Sequence, residues 1–263
     1  MIPGRVSLPD PARTRLVALL LCGALGSCKE ASGAAIGPGT ELLARDENGA
    51  SITFRVDAVE RDPGDADGDV YLYSLSYRDP ADGAYKTYCL PDRDGHTYAL
   101  PLSGYWDPSK EHVDQPGVIT FACTNSPLAK CVRWGYKPWK SVNGTSLRDH
   151  HLACVRMTRA DYCGDGRPHT RDGTLIDVYD AAGIQKRVEQ PDMVFEAAWG
   201  PRGAVFVARP RIGGAIEEVV SLCPEKLRGR TSVDAPGLDK EAVERRWPAA
   251  LLFNDSRVVE EPR

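Results

Sequence analysis

Several patterns are absent from this 263-residue chain, and each absence argues against a class of protein. Apart from the apolar run of residues 16–25, no segment approaches the roughly twenty apolar residues that a membrane-spanning helix needs. No Lys/Arg-rich run stands out, which argues against nucleic acid or an anionic membrane surface as the main partner. CxxC pairs, the motifs HExxH and GxSxG, and internal repeats are also missing, so no motif fixes a metal or catalytic geometry.

The N-terminus has the layout of a bacterial export signal. Arg5, Arg13 and Arg15 precede the apolar run, which at about ten residues is too short to span a bilayer and has the length of a signal-peptide core. Leu25-Gly-Ser-Cys28 resembles a lipobox, in which the cysteine thiol is acylated and signal peptidase II cuts just before it. The alternative is an ordinary cleaved signal with an incidental cysteine.

This signal predicts a lipid-anchored protein of the cell envelope. We expect residues 1–27 to be removed, Cys28 to carry the lipid that attaches the chain to the membrane, and residues 28–40 to form a flexible tether. Lys29 favours the outer membrane over the inner one. Without residues 1–27 the chain has 30 basic and 36 acidic side chains, a net charge of −6.

The remaining cysteines predict a disulfide-braced body. An even number in an oxidising compartment indicates up to three bridges, with a metal site or free thiols as the alternative. An unbroken helix from Cys154 to Cys163 separates their Cα atoms by roughly 13 Å, beyond the reach of a disulfide, so these two should pair elsewhere. The six cysteines are Cys89, Cys123, Cys131, Cys154, Cys163 and Cys223.

The apolar spacing predicts an α+β protein, a β-rich antiparallel body with one or two short helices. Near-alternating apolar residues indicate strands from residue 51 onward, and Asp/Gly/Pro turns separate them. Residues 146–162 and 216–222 have helical patterns, whereas Gly135 and Pro138 favour a loop or short turn over 124–141.

A literal Ala160-Asp-Tyr-Cys163 lies inside the long run Cys154–Asp177, which resembles the ADYC domain of exported, chiefly myxobacterial proteins. Thr120–Cys123, Lys130–Trp139 and Phe195–Ala204 support the resemblance, which covers roughly residues 85–228. The resemblance implies exported lipoprotein-type proteins and supplies no catalytic residues. We therefore divide the remaining chain into a β-rich part (41–84), an ADYC-like domain (85–228) and a C-terminal extension (229–263).

The densest polar cluster is the weak candidate for catalysis: Asp161, Asp165, His169 and Asp177. Carboxylates and a histidine are able to do acid–base work, which would make the chain an extracytoplasmic hydrolase. The alternative interpretation is turn structure, because Asp-Gly pairs are turn dipeptides. Cys163 beside a histidine is a conceivable nucleophile, but half of a disulfide fits the even cysteine count better.

Two further groups suggest binding. The acidic stretch 62–69 suggests calcium but fails the EF-hand spacing, so we predict a solvated turn and no metal or cofactor. Trp134, Tyr136 and Trp139 are candidates for a platform that binds a peptide or glycan, with core packing as the alternative. The first functional hypothesis is therefore a non-catalytic envelope module that binds a protein or glycan, and the second is the hydrolase.

Overall fold

The computed structural model describes residues 18–20, 36–45, 51–107, 109–212 and 214–257. Cys28, most of the predicted signal and most of the tether lie outside these residues, and so does the predicted lipidation. No helix within the described ranges combines the length and the hydropathy needed to cross a membrane.

The N-terminal half is built from strands, as the alternating pattern predicts. Seven of the strands form one sheet, in the order β3-β2-β1-β9-β6-β4-β5, and β7 pairs with β8. The strands in the described part of this half are β1 (Ala18–Leu20), β2 (Glu41–Arg45), β3 (Ser51–Arg61), β4 (Tyr71–Arg78), β5 (Tyr85–Thr87), β6 (Tyr98–Ser103), β7 (Tyr105–Trp106), β8 (His112–Val113) and β9 (Val118–Cys123).

Six of these strands form a closed sheet, because β3 also pairs with β4. Every pairing in the closed sheet is antiparallel, and a bulge in β3 between Val56 and Ala58 shifts the alternation by one residue. Inward side chains fill the interior with apolar atoms. They include Leu42, Phe54, Val56, Tyr73, Leu75 and Phe121, all buried.

The C-terminal half combines helices with a second antiparallel sheet of order β12-β15-β13-β14. Strand β15, from the segment assigned to the C-terminal extension, pairs with both β12 and β13. The elements are α1 (Pro127–Arg133), β10 (Ser141–Val142), β11 (Thr145–Ser146), α2 (Arg148–Arg159), β12 (Ile176–Asp180), β13 (Val194–Gly200), β14 (Gly203–Val207), α3 (Ile216–Leu222), α4 (Pro224–Leu227), α5 (Lys240–Arg246) and β15 (Leu252–Ser256).

The described residues confirm the prediction of a β-rich, antiparallel α+β body, with five short helices where one or two were expected. Helix α1 lies where a loop was expected. The Ser126 hydroxyl accepts a hydrogen bond from the Ala129 amide, and Pro127 occupies the first turn, where its missing N–H costs nothing. The breakers Gly135 and Pro138 follow the helix rather than interrupt it.

Helices α1 and α2 connect the two sheets. Helix α1 contacts β9, and α2 contacts α1 and the strands β13, β14 and β15. One core cluster therefore extends from β6 and β7 through both helices to the second sheet. Its largest members are Trp106, Tyr136, Tyr162 and Trp199.

The prediction of three disulfides is confirmed. Cys89 pairs with Cys123, Cys131 with Cys154, and Cys163 with Cys223. Cys154 and Cys163 do not pair with each other, as predicted, although α2 ends at Arg159 rather than continuing to Cys163. Such bridges indicate an extracytoplasmic protein, because cytosolic thiols are kept reduced.

Candidate functional site

The segment Ala160–Cys163 follows helix α2 in a turn whose first three residues are completely buried. Ala160 has the left-handed conformation (φ 50°), and the Asp161 amide donates to the Arg156 carbonyl. The Asp161 carboxylate, with no exposed surface, accepts from the Arg156 guanidinium (2.7 Å) and from the amides of Asp165 (3.1 Å) and Gly166 (2.9 Å). Both of its oxygens therefore hold the turn together.

The next two residues of this segment face the second sheet. The Tyr162 hydroxyl donates to Glu196 (3.2 Å) and accepts from the Arg211 amide (2.8 Å), while its ring stacks on Trp199 at 5.3 Å between centroids. Cys163 forms its disulfide with Cys223. The literal tetrapeptide is thus a structural junction between α2, the second sheet and the segment after β14.

A buried ionic network lies beside this junction and was missed by the sequence analysis. The Arg211 guanidinium donates to both oxygens of Glu196 (2.9 and 3.0 Å) and to the Met157 carbonyl at the end of α2 (2.7 Å). Asn254 donates to Glu196 (2.9 Å) and accepts from the Trp199 indole (2.8 Å). One signal was available, because Glu196 interrupts an otherwise apolar strand and a buried carboxylate needs partners.

The four catalytic candidates do not form one constellation. Asp165 lies near the surface and pairs with Arg167 at 2.7 Å; burial opposes its ionisation, but the backbone and guanidinium of Arg167 lower its pKa. His169 is half-buried beside the Tyr162 ring, and burial lowers its pKa although Asp161 and Asp165 oppose the shift. Asp177 belongs to β12, accepts from the Val188 amide, and has a pKa raised by burial.

Three of these residues are therefore neighbours, and the fourth lies in the second sheet beside Arg187 and Asp255. Within the neighbouring group, the Asp161 carboxylate has no exposed surface, and guanidinium and amide donors bind both of its oxygens. The four candidates remain a prediction for catalysis.

The three aromatic candidates separate into two environments. Tyr136 is completely buried, donates to Asp180 (2.7 Å), and has a pKa raised by that burial. Trp139 is 47% exposed, and its indole N–H donates to Asp69 (2.9 Å). Trp134 is partly buried, packed against the core that contains α1 and α2. Trp134 and Trp139 are thus accessible to a ligand, and Tyr136 is part of the interior.

The acidic stretch forms a loop between β3 and β4 that holds a lysine rather than standing free in solvent. The Lys137 ammonium lies 2.5 Å from Asp65, 2.8 Å from Asp67 and 2.6 Å from Asp69, and the lysine side chain is only 6% exposed. Lys140 adds a second cation at 3.1 Å from Asp69. Because the ammonium contacts all three carboxylates, a cation of the protein itself compensates part of their negative charge.

These contacts set the ionisation of the loop. Burial opposes charge on Asp69, yet hydrogen bonds from Lys137, Trp139 and Lys140 hold its pKa far below the ordinary value. The pKa of Asp65 is lowered in the same way, against burial, by Lys137 and the amides of Val70 and Asp69. Burial opposes charge on Lys137 as well, but its three carboxylate partners raise its pKa.

A cleft of about 510 Å³ lies between this loop and the end of α1. Its wall includes Asp65, Asp67, Arg133, Trp134, Lys137 and Gln185. Arg133 is anchored to buried Asp62 at 2.7 Å, and the Trp134 carbonyl accepts from Gln185 at 2.6 Å. The cleft therefore combines both signs of charge, an amide and the edge of an indole, with exposed Trp139 bonded to the same acidic loop.

A family model for the ADYC domain matches residues 38–213, about two thirds of the chain. The match includes the closed sheet from β2 onward, the acidic loop, the tetrapeptide and Arg211, and so begins well before residue 85. No curated protein matches the chain, and neither does any solved structure.

Proposed function

We propose that this chain, which belongs to the ADYC domain family, is a lipid-anchored envelope protein whose body is a non-catalytic binding module. The proposed anchor is a lipid on Cys28 in the outer membrane, and the proposed ligand is an envelope protein or glycan. Three disulfides support an oxidising compartment. The lipobox-like residues 25–28 support the anchor.

One observation carries the binding role: the open polar cleft and the tetrapeptide Ala160–Cys163 lie in different parts of the described structure. The polar groups of Asp161 and Tyr162 form internal hydrogen bonds, whereas the cleft beside the acidic loop is accessible and is lined by charges, an amide and the indole of Trp134. Binding sites commonly combine an apolar or aromatic wall with a few fixed polar groups. Trp139 supplies the exposed aromatic surface.

The anchor is tested by labelling cells with a radioactive fatty acid and separating membranes from soluble envelope proteins. The natural chain should be labelled and sediment with membranes, and Cys28→Ala should abolish both. Cys22→Ala is the matched control, because it alters another cysteine of the signal and should leave labelling intact. Equal labelling of Cys28→Ala and the natural chain would contradict the proposal.

The binding role is tested with soluble Cys28→Ser protein and two probes, purified peptidoglycan and solubilised envelope proteins, after photo-crosslinking. Trp139→Ala should weaken capture of the true ligand by roughly tenfold, as expected for loss of one exposed aromatic contact. Leu222→Ala, which truncates another exposed side chain remote from the cleft, should leave capture unchanged. Equal capture by both variants would remove the cleft from the proposal.

A further inference from the structure

Strand β1 occupies a position that removal of the export signal would vacate. It pairs antiparallel with β2 on one side, where Leu19 lies opposite Ala44, and with β9 on the other, where Leu19 lies opposite Ile119. In the closed sheet, β2 and β9 are joined through β1. Because neighbouring strands lie about 4.8 Å apart, loss of residues 1–27 leaves β2 and β9 roughly 10 Å apart, the width of one strand. We call this gap the seam.

The backbone of β2 is prepared to bind a strand at the seam. The Val56 amide donates to the Thr40 carbonyl, so residue 40 directs its polar groups toward β3. Backbone direction alternates along an antiparallel strand, and Leu43 therefore directs its N–H and C=O toward the seam. Its side chain is 62% exposed on the outer surface, while Leu42 and Ala44 point into the apolar interior. An open edge of this kind is a template for another strand.

We propose that the seam of the processed chain binds an extended apolar segment of another polypeptide, which adds as an antiparallel strand. The strand that pairs at the seam in the full chain has the sequence Ala18-Leu-Leu20, which is entirely apolar. The interior beneath it is apolar, because Ile119 of β9 belongs to the same buried cluster as Leu42 and Ala44. Residues 29–35 of the tether, Lys-Glu-Ala-Ser-Gly-Ala-Ala, lack a large apolar side chain and cannot replace it.

This inference rests on the proposed function, since the seam opens only if the signal is cleaved. The mode is strand addition, in which main-chain hydrogen bonds supply affinity and alternate side chains supply selectivity. It uses a different surface from the cleft beside the acidic loop.

The test is a titration of chain 28–263, carrying Cys28→Ser, with a fluorescent peptide of residues 14–24 carrying Cys22→Ser, followed by anisotropy. We expect saturable binding. Leu43→Pro, which removes an N–H facing the seam, should weaken binding by roughly tenfold. Leu43→Ser, which removes the same side chain but keeps the N–H, should bind within roughly threefold of the natural residue. The full chain, whose own β1 fills the seam, should not bind.

A second measurement leaves the protein unchanged. Peptides methylated on the backbone nitrogen of residue 19 or of residue 20 are compared, because only one of these N–H groups faces β2 and the other faces β9. Both should bind at least roughly tenfold more weakly than the unmodified peptide. Equal binding by methylated and unmodified peptides, or by the Leu43→Pro and Leu43→Ser chains, would mean apolar adhesion and overturn the inference.

Other occupants give distinct results. If the chain forms a concentration-dependent dimer that the peptide does not dissociate, the seam binds a second copy of the chain. If the seam amides of the monomer are protected from hydrogen exchange in the absence of peptide, the tether fills the seam. Either result overturns the inference. If Cys28 is not labelled by lipid, the proposed lipid anchor is contradicted, while binding of the peptide to chain 28–263 still tests the seam. If Cys28 is labelled but the peptide does not bind, only the proposal of strand addition at the seam is contradicted.

Discussion

The interior of the closed sheet and the interior beside α2 are filled with different kinds of side chain. The closed sheet buries aliphatic and aromatic residues such as Phe54, Val56 and Leu75. The region between α2 and the second sheet adds completely buried charges, among them Arg156, Asp161 and Glu196. The difference matters because an apolar core depends mainly on volume, whereas a buried charge depends on a particular partner. The tetrapeptide Ala160–Cys163 lies in the interior where particular partners, rather than volume, determine which residue fits.

The largest effect is expected where a buried charge loses its partner. Arg211→Met leaves Glu196 buried without its guanidinium, and the free energy of unfolding should fall by about 4 kcal/mol. Adding Glu196→Gln should recover a large part of that loss, because the uncompensated charge disappears. Urea unfolding of the three proteins measures this.

Arg167→Met is the matched control for this pair, since Arg167 and Asp165 form an exposed ion pair whose loss should cost less than about 0.5 kcal/mol. If Arg211→Met destabilised the chain no more than Arg167→Met does, the contrast between the two interiors would be broken.

A slightly smaller effect is expected in the closed sheet. Leu75→Ala removes buried methyl groups and should cost about 3 kcal/mol, while Leu75→Met, which nearly keeps the volume, should cost less than about 1.5 kcal/mol. Leu43→Ala alters the same sheet at an exposed position and should be nearly neutral. A large loss for Leu75→Met would show that this interior also depends on residue identity.

The acidic loop should give an intermediate effect with a pH signature. Lys137→Met removes the cation shared by three carboxylates and should cost about 2 kcal/mol at pH 7. The pKa values of Asp65 and Asp69 are lowered in the folded protein, so the unfolded chain binds more protons below about pH 4 and stability falls there as pH falls. Unfolding monitored between pH 5 and 2 should show a shallower fall for Lys137→Met. Lys140→Met removes a more exposed cation that contacts Asp69 at 3.1 Å, and it should reduce the slope less than Lys137→Met does.

The smallest effect is expected at His151, whose pKa is lowered to about 4 by complete burial. The unfolded histidine takes up a proton near pH 6.5 and the folded one does not, so acidification from pH 6.5 to 4 reduces stability. His151→Gln retains a donor for the Leu128 carbonyl and should lower that slope, with about 1 kcal/mol or less lost at pH 7. An unchanged slope would mean that the histidine is protonated inside the folded chain.

Much of the secondary structure follows from local pattern. The helix at Ile216–Leu222 lies where its apolar spacing predicted it, and the near-alternating pattern from residue 51 onward corresponds to strands. The absence of a Cys154–Cys163 bridge was also predicted, but from a helix longer than the observed α2, which ends at Arg159. Helix α1 was not predicted, because Gly135 and Pro138 indicate a loop. Ser126 and Pro127 are the signals of a helix start, and the helix they begin ends before Gly135.

The contacts of the acidic loop and of Glu196 could not be predicted from local sequence patterns, because the residues that form them are far apart along the chain. Lys137 meets Asp65 across 72 residues, and Asn254 meets Glu196 across 58. A local pattern of charge cannot say which lysine enters a cluster of carboxylates. The acidic stretch was therefore read as a solvated turn, although its Asp65 carboxylate binds Lys137 and two backbone amides.

Strand β15 has a consequence for the order of events during synthesis and export. Residues 252–256 lie between β12 and β13. These two strands therefore lack the hydrogen bonds to β15 that connect them until nearly the whole chain has emerged. The strands of the first sheet, by contrast, have all been synthesised once residue 123 has emerged. Folding from the N-terminus would thus leave one edge of β12 and one edge of β13 unpaired until β15 arrives, so the second sheet cannot be completed during passage. A chain truncated before residue 252 would keep these edges exposed, which makes it a target for proteases and for aggregation.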